Sequence, residues 1–124
     1  MQAILGSMTF GKQVNLQTAT EMVQRYVAAG GTELDTAYVY VEGQTEEMLG
    51  TLNQQGDLDQ CRIATKVNPL AGGLGTASVD QQFSTSLQRM HKQGVDLLYL
   101  HQPDLNTPIT ETLQAIQRLS LIHI

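Results

Sequence analysis

The stretch Val95-Asp96-Leu97-Leu98-Tyr99-Leu100-His101 decides how this chain is read. It is a nearly continuous apolar run, interrupted only by Asp96 and closed by a histidine. A run of that kind predicts a strand buried on both faces, the pattern of parallel strands. The segments around it should then supply crossover helices and further strands.

Upstream, Val79, Phe83, Leu87 and Met90 recur at helical spacing, which predicts a helix capped by Ser78 and stopped by Gly94. A long loop with Pro69 and the Gly72-Gly73 pair precedes it. Arg62-Ile63-Ala64-Thr65-Lys66-Val67 reads as another strand. Before that, Met48, Leu49 and Leu52 mark a helix over about 45–52, and Glu33-Leu34-Asp35 is a short strand. Met22, Val23, Tyr26 and Val27 mark a helix over 18–29. Thr18 and Glu21 suggest a capping box at its start, and Gly30-Gly31 ends it. Ala3-Ile4-Leu5, closed by Gly6, is the first strand. Downstream, Thr107-Pro108 opens a last helix with proline at its first position. Its face is Ile109, Leu113, Ile116 and Leu119.

Four strand-helix units in strict alternation imply an α/β fold with a parallel sheet and right-handed crossovers. An open doubly wound sheet and a TIM (β/α)8 barrel both fit that pattern. No G-x-G-x-x-G follows the first strand and no P-loop occurs, which weakens the nucleotide-binding open sheets. A full barrel needs roughly 250 residues. On the barrel reading, these units would be the first four of a TIM barrel, a half barrel as the chain stands.

The composition narrows the function. Seven basic residues against twelve acidic ones give a net charge of −5. No basic run exists to neutralise phosphates, so neither nucleic acid nor an anionic membrane is expected as partner. No apolar stretch is long enough for a membrane span. Cys61 is the sole cysteine, so no internal disulfide is possible, and no secretory signal stands at the N-terminus. A cytoplasmic location is expected. No spacing of Cys, His or carboxylates suggests a metal site. Met1, Met8, Met48 and Met90 read as packing or loop residues. His91 and His123 read as structural or solvent-exposed.

Four polar residues stand at or just beyond the C-terminal ends of predicted strands: Asp35, Tyr40, Lys66 and His101. In a parallel barrel these ends share one rim, where active sites lie. A free tyrosine titrates near 10. A neighbouring ammonium favours its phenolate, and a carboxylate keeps that ammonium charged and oriented. A histidine within reach orients a carbonyl oxygen. Together such groups supply a proton to an oxygen gaining negative charge, as carbonyl reduction requires. Each residue alone also has an ordinary reading: a structural Asp35–Lys66 ion pair, a packing Tyr40, a hydrogen-bonded loop His101.

Five segments of the chain carry a family resemblance. They are Leu5–Gly11, Leu34–Tyr40 with its Asp-Thr-Ala-x-x-Tyr wording, Gly43–Gly50, Ile63–Val67 and Val95–Asp104. In this order they resemble the N-terminal half of the aldo-keto reductases, over residues 3 to about 118. The wording around Tyr38–Glu46 and Lys66–Pro69 looks most like the aflatoxin-aldehyde reductase branch, whose members reduce small aldehydes with NADPH. The resemblance implies that Tyr40 gives the proton to the carbonyl oxygen. It implies that Lys66, held by Asp35, tunes Tyr40, and that His101 orients the small carbonyl substrate. Ser7, Met8 and Asp35 would border the cofactor.

Two departures accompany the resemblance. The family holds most of its NADPH with residues after the fifth, seventh and eighth strands, so this chain alone is expected to be inactive. The ending 119–124 lacks the family's Gly-Lys turn and reads as an atypical, truncated end. A half barrel would have its first and fourth strands as open edges, which two copies could close as a homo-oligomer. Another reading is a non-catalytic binding subunit of the potassium-channel β type, which shares the barrel. In that group an asparagine stands at the place of His101, so His101 favours the enzyme branch.

Overall fold

The computed structural model describes residues 3–121; Met1, His123 and the end of the tail, read above from sequence, lie outside the described residues. Four strands alternate with four helices: β1 (Leu5–Gly6), α1 (Leu16–Ala28), β2 (Glu33–Asp35), α2 (Gln44–Gln54), β3 (Arg62–Val67), α3 (Thr76–Met90), β4 (Leu97–Leu100) and α4 (Ile109–Ser120). Short 3-10 turns over Tyr40–Gly43 and Pro69–Ala71 follow β2 and β3.

The strands pair in parallel in the order β1-β2-β3-β4. That order settles the choice left open by the sequence. A doubly wound sheet reverses its strand order and carries helices on both faces. A sheet that adds each strand beside the last, through right-handed crossovers, keeps its helices on one side. In agreement, α2 packs on α3 and α3 on α4.

The alternation of side chains along the strands follows from this one-sided cover. Leu34, Ile63 and Val67 point into the helix layer and are buried there with Phe10, Leu49, Phe83 and others. Ile4, Asp35, Ala64 and Tyr99 line the opposite, inner face. β4 is therefore not buried on both faces as expected: Leu97 is 42% and Tyr99 44% exposed. The physical reason is that only one side of the sheet is covered. β4 is also shorter than the apolar run suggested. Asp96 lies just before it and turns its carboxylate onto the N–H of Ile63 at 2.7 Å, helping to start β3. β1 likewise begins at Leu5, with Ile4 exposed.

Helix ends differ from the sequence reading for reasons of local hydrogen bonding. Asn15, not Thr18, caps α1: its Oδ1 accepts the N–H of Thr18 at 2.9 Å, so the expected Thr18–Glu21 box does not form. α3 starts at Thr76 after Gly75, ahead of Ser78. It stops where His91 adopts the left-handed conformation, before Gly94 is reached. Pro108 is the cap of α4, one position outside the helix. The buried side of α4 is Thr112, Ala115 and Leu119, with Ile116 beside it, so Ile109 and Leu113 stay exposed. Thr112 belongs to that side because its hydroxyl donates to the carbonyl of Leu74 at 2.9 Å.

Candidate active site

β2 and β3 lie side by side with Asp35 paired to Ala64, and the next inward position on β3 is Lys66. This register brings the two charges together. Lys66 Nζ donates to Asp35 Oδ2 at 2.6 Å and to the carbonyl of Thr36 at 2.7 Å. Both side chains are partly buried, at 15% and 29% exposure, so the pair is held more firmly than a surface ion pair. Ser7 sits behind Asp35. Its backbone N–H and its hydroxyl both donate to the Asp35 carbonyl, at 2.9 and 2.8 Å.

Tyr40 follows β2 on the 3-10 turn. Its ring centroid lies 5.2 Å from Lys66 Nζ. From β4, the backbone N–H of His101 donates to the carbonyl of Val67 at 2.9 Å, extending the ladder by one residue. That places the imidazole against Tyr40, with centroids 5.8 Å apart and planes at 85°. Thus Asp35, Tyr40, Lys66 and His101, contributed from three strand ends, meet in one place. Tyr38, the other tyrosine of the same segment, turns away and stacks on Arg89 at 4.5 Å.

His101 Nδ1 is buried and has no hydrogen-bond partner. Burial pushes the imidazole below the ordinary histidine range, and the Lys66 ammonium pushes it the same way; Asp35 opposes them in part. The neutral imidazole is therefore the favoured form, with one N–H to donate and one nitrogen to accept. Of the other two residues expected beside the cofactor with Asp35, Ser7 is fully buried with its hydroxyl committed to the Asp35 carbonyl, and Met8 is 63% exposed. Among the described residues no group of three or more His, Cys, Asp or Glu could hold a metal ion. No described helix is long and apolar enough to cross a membrane.

Sequence reasoning missed two features. Tyr99 opposes Lys66 across the β3–β4 register, and its ring centroid is 5.8 Å from Nζ, so the ammonium is close to two phenol rings. Beneath the site, Glu46 is completely buried. It accepts from Thr65 Oγ1 at 2.8 Å, Ser86 Oγ at 3.0 Å and Arg89 at 3.2 Å. The available signal was a carboxylate three residues before Leu49, on the apolar side of α2.

The family model for the aldo/keto reductase family matches residues 3–121. A human protein, aflatoxin B1 aldehyde reductase member 2, is 44% identical over 94% of this chain and 33% of its own length. A probable voltage-gated potassium channel subunit beta from rice is 32% identical over 87% of this chain and 35% of its own. The solved structure of a thermostable aldo-keto reductase with the inhibitor epalrestat superposes with a TM-score of 0.84 at 26% identity. It covers 98% of this chain and 46% of that one. The four strand-helix units are thus half of a TIM barrel. The chain spans about a third of the length of the curated relatives it matches.

Proposed function

The chain belongs to the aldo/keto reductase family, and from that premise we propose that its four clustered residues reduce small aldehydes or ketones to alcohols with NADPH. The observation that supports the reading best is the approach of Lys66 Nζ to the Tyr40 ring, with the same ammonium bonded to Asp35.

The chemistry follows from the groups present. Reduction turns a carbonyl oxygen into an alkoxide that needs a proton. Tyr40 gives its hydroxyl proton to that oxygen. The Lys66 ammonium stabilises the negative charge then left on the phenol, and Asp35 keeps the ammonium in place. The neutral imidazole of His101 donates its N–H to the same oxygen, holding the carbonyl beside Tyr40. The cofactor's nicotinamide, when bound, supplies the hydride.

The residues present fit the nicotinamide end of such a cofactor. Asp35 is partly exposed on the open inner face and suits a ribose hydroxyl; Met8 is exposed. Ser7 supports that end through Asp35, since its own hydroxyl is engaged. The relatives are about three times as long, so the remainder of the NADPH pocket is read as lying outside the matched third, with little activity in these 124 residues alone. The similar human protein is named as a reductase of aflatoxin B1 aldehyde, which supports an aldehyde as the substrate class. A cytoplasmic site of action is supported by the lone, unpaired Cys61. The reading as a channel β-type subunit has His101 against it.

The test is a chimera in which residues 3–118 replace the matching segment of a full-length relative. Reduction of small aldehydes with NADPH is expected. A folded chimera that binds NADPH but reduces no aldehyde would overturn the proposed reaction.

A further inference from the structure

Tyr40 is delivered by an unfavourable piece of backbone. Val41 and Glu42 have φ of 48° and 55°, and Gly43 follows at 97°. Three consecutive left-handed residues, the first β-branched, do not hold their shape unaided. The helix behind the turn supplies what holds it. Arg89 Nη1 donates to the carbonyl of Tyr38 at 2.9 Å, and its guanidinium stacks on the Tyr38 ring at 4.5 Å. It also lies against Gly43 so closely that a Cβ there would come within 2.4 Å of Arg89 Cζ. One cation thus grips the segment on both sides of Tyr40.

Arg89 is itself fixed from below. The buried Glu46 carboxylate binds it at 3.2 Å and spends its remaining capacity on Ser86 and Thr65. Thr65 is the residue before Lys66. Glu46 therefore ties the turn that carries Tyr40 to the strand that carries Lys66. A fully buried carboxylate needs such complete pairing to be tolerated at all.

The geometry points to Arg89 and Glu46 as positioning residues that set the Tyr40 phenol against the Lys66 ammonium. This deepens the proposed function and rests on Tyr40 being the proton donor there. Neither residue touches the substrate. Both act by fixing the strained 38–43 segment relative to β3, and small displacements of a reacting group can cost on the order of a hundredfold in rate.

The test uses the 124-residue chain labelled with fluorotyrosine, its four fluorine resonances assigned by single Tyr→Phe variants. In Arg89→Met the Tyr40 line is expected to shift or broaden, along with Tyr38, while Tyr26 and Tyr99 stay in place. Arg89→Lys keeps a cation for Glu46 but loses the planar fork under Tyr38. It is expected to give the same pattern and serves if the methionine variant does not fold. A Tyr40 line unmoved in either folded variant overturns the inference. So does a change spread equally over all four tyrosines, which marks a merely structural role. The result is independent of catalysis: loss of the proton-donor role is read separately, from aldehyde reduction by Tyr40→Phe in the chimera.

Discussion

The rings of Tyr40 and His101 meet edge to face, with centroids 5.8 Å apart, although sixty-one positions separate them in the sequence (101 − 40). The contact exists because His101 continues the β3–β4 ladder by one residue and Tyr40 is turned back over the end of β2. It places a neutral imidazole and a phenol on the same small volume beside Lys66.

This arrangement predicts a pH dependence of stability. Burial first, and Lys66 second, lower the His101 midpoint below its unfolded value of about 6.5. The folded state then binds fewer protons than the unfolded state in the interval between the two midpoints. Stability contributed by the neutral ring is fully present above about pH 6.5 and is lost as the pH falls through the folded midpoint. Urea unfolding at pH 7 and at pH 5 is expected to show a larger loss for the wild-type chain than for His101→Asn. Equal losses would contradict the assignment.

Lys66→Met removes the charge that stabilises the phenolate and leaves Asp35 without its partner. In the chimera, aldehyde turnover is expected to fall about a hundredfold or more. Lys66→Arg restores a cation but not the compact ammonium near the Tyr40 and Tyr99 rings, and is expected to recover only part of the turnover. Turnover in Lys66→Met close to that of the parent would remove Lys66 from the chemistry.

Gly50 is needed for packing. A Cβ at this position would lie 2.0 Å from the Arg89 carbonyl, where α2 crosses α3. Alanine is the better helix former by about 1 kcal/mol, so propensity alone predicts that Gly50→Ala stabilises the chain. Steric overlap with backbone is expected to win and to destabilise by about 1–3 kcal/mol. Equilibrium urea unfolding measures the sign directly, and a stabilised variant would show that α2 and α3 do not pack as described.

The alternation of units was legible in the sequence because short apolar runs alternate with stretches of helical spacing, most of them bounded by Gly or Pro. The fold choice was not, because alternation suits a barrel and an open sheet alike; strand order decides it, and strand order is a long-range property. The burial of β4 was misread for a related reason. Leu97 and Tyr99 are as apolar as buried strand residues, and the sequence does not record that only one face of this sheet is covered. Cap positions such as Asn15 and His91 were missed because several polar residues near a helix end compete for the same N–H and C=O groups. At the site, Asp35, Tyr40, Lys66 and His101 could be picked out because each stands at or just beyond the C-terminal end of a strand. Glu46 and Arg89 could not, since helices carry many charges and only packing shows which of them is interior.

The proposed reduction depends on the Tyr40 hydroxyl. The decisive measurement compares Tyr40→Phe with the parent chimera for NADPH affinity and for aldehyde turnover. The variant keeps the ring against Lys66 and His101 and removes only the hydroxyl, the proton's source. Turnover lost to near background, with NADPH affinity almost unchanged, is the predicted result. Turnover largely retained would contradict the claim that this phenol supplies the proton.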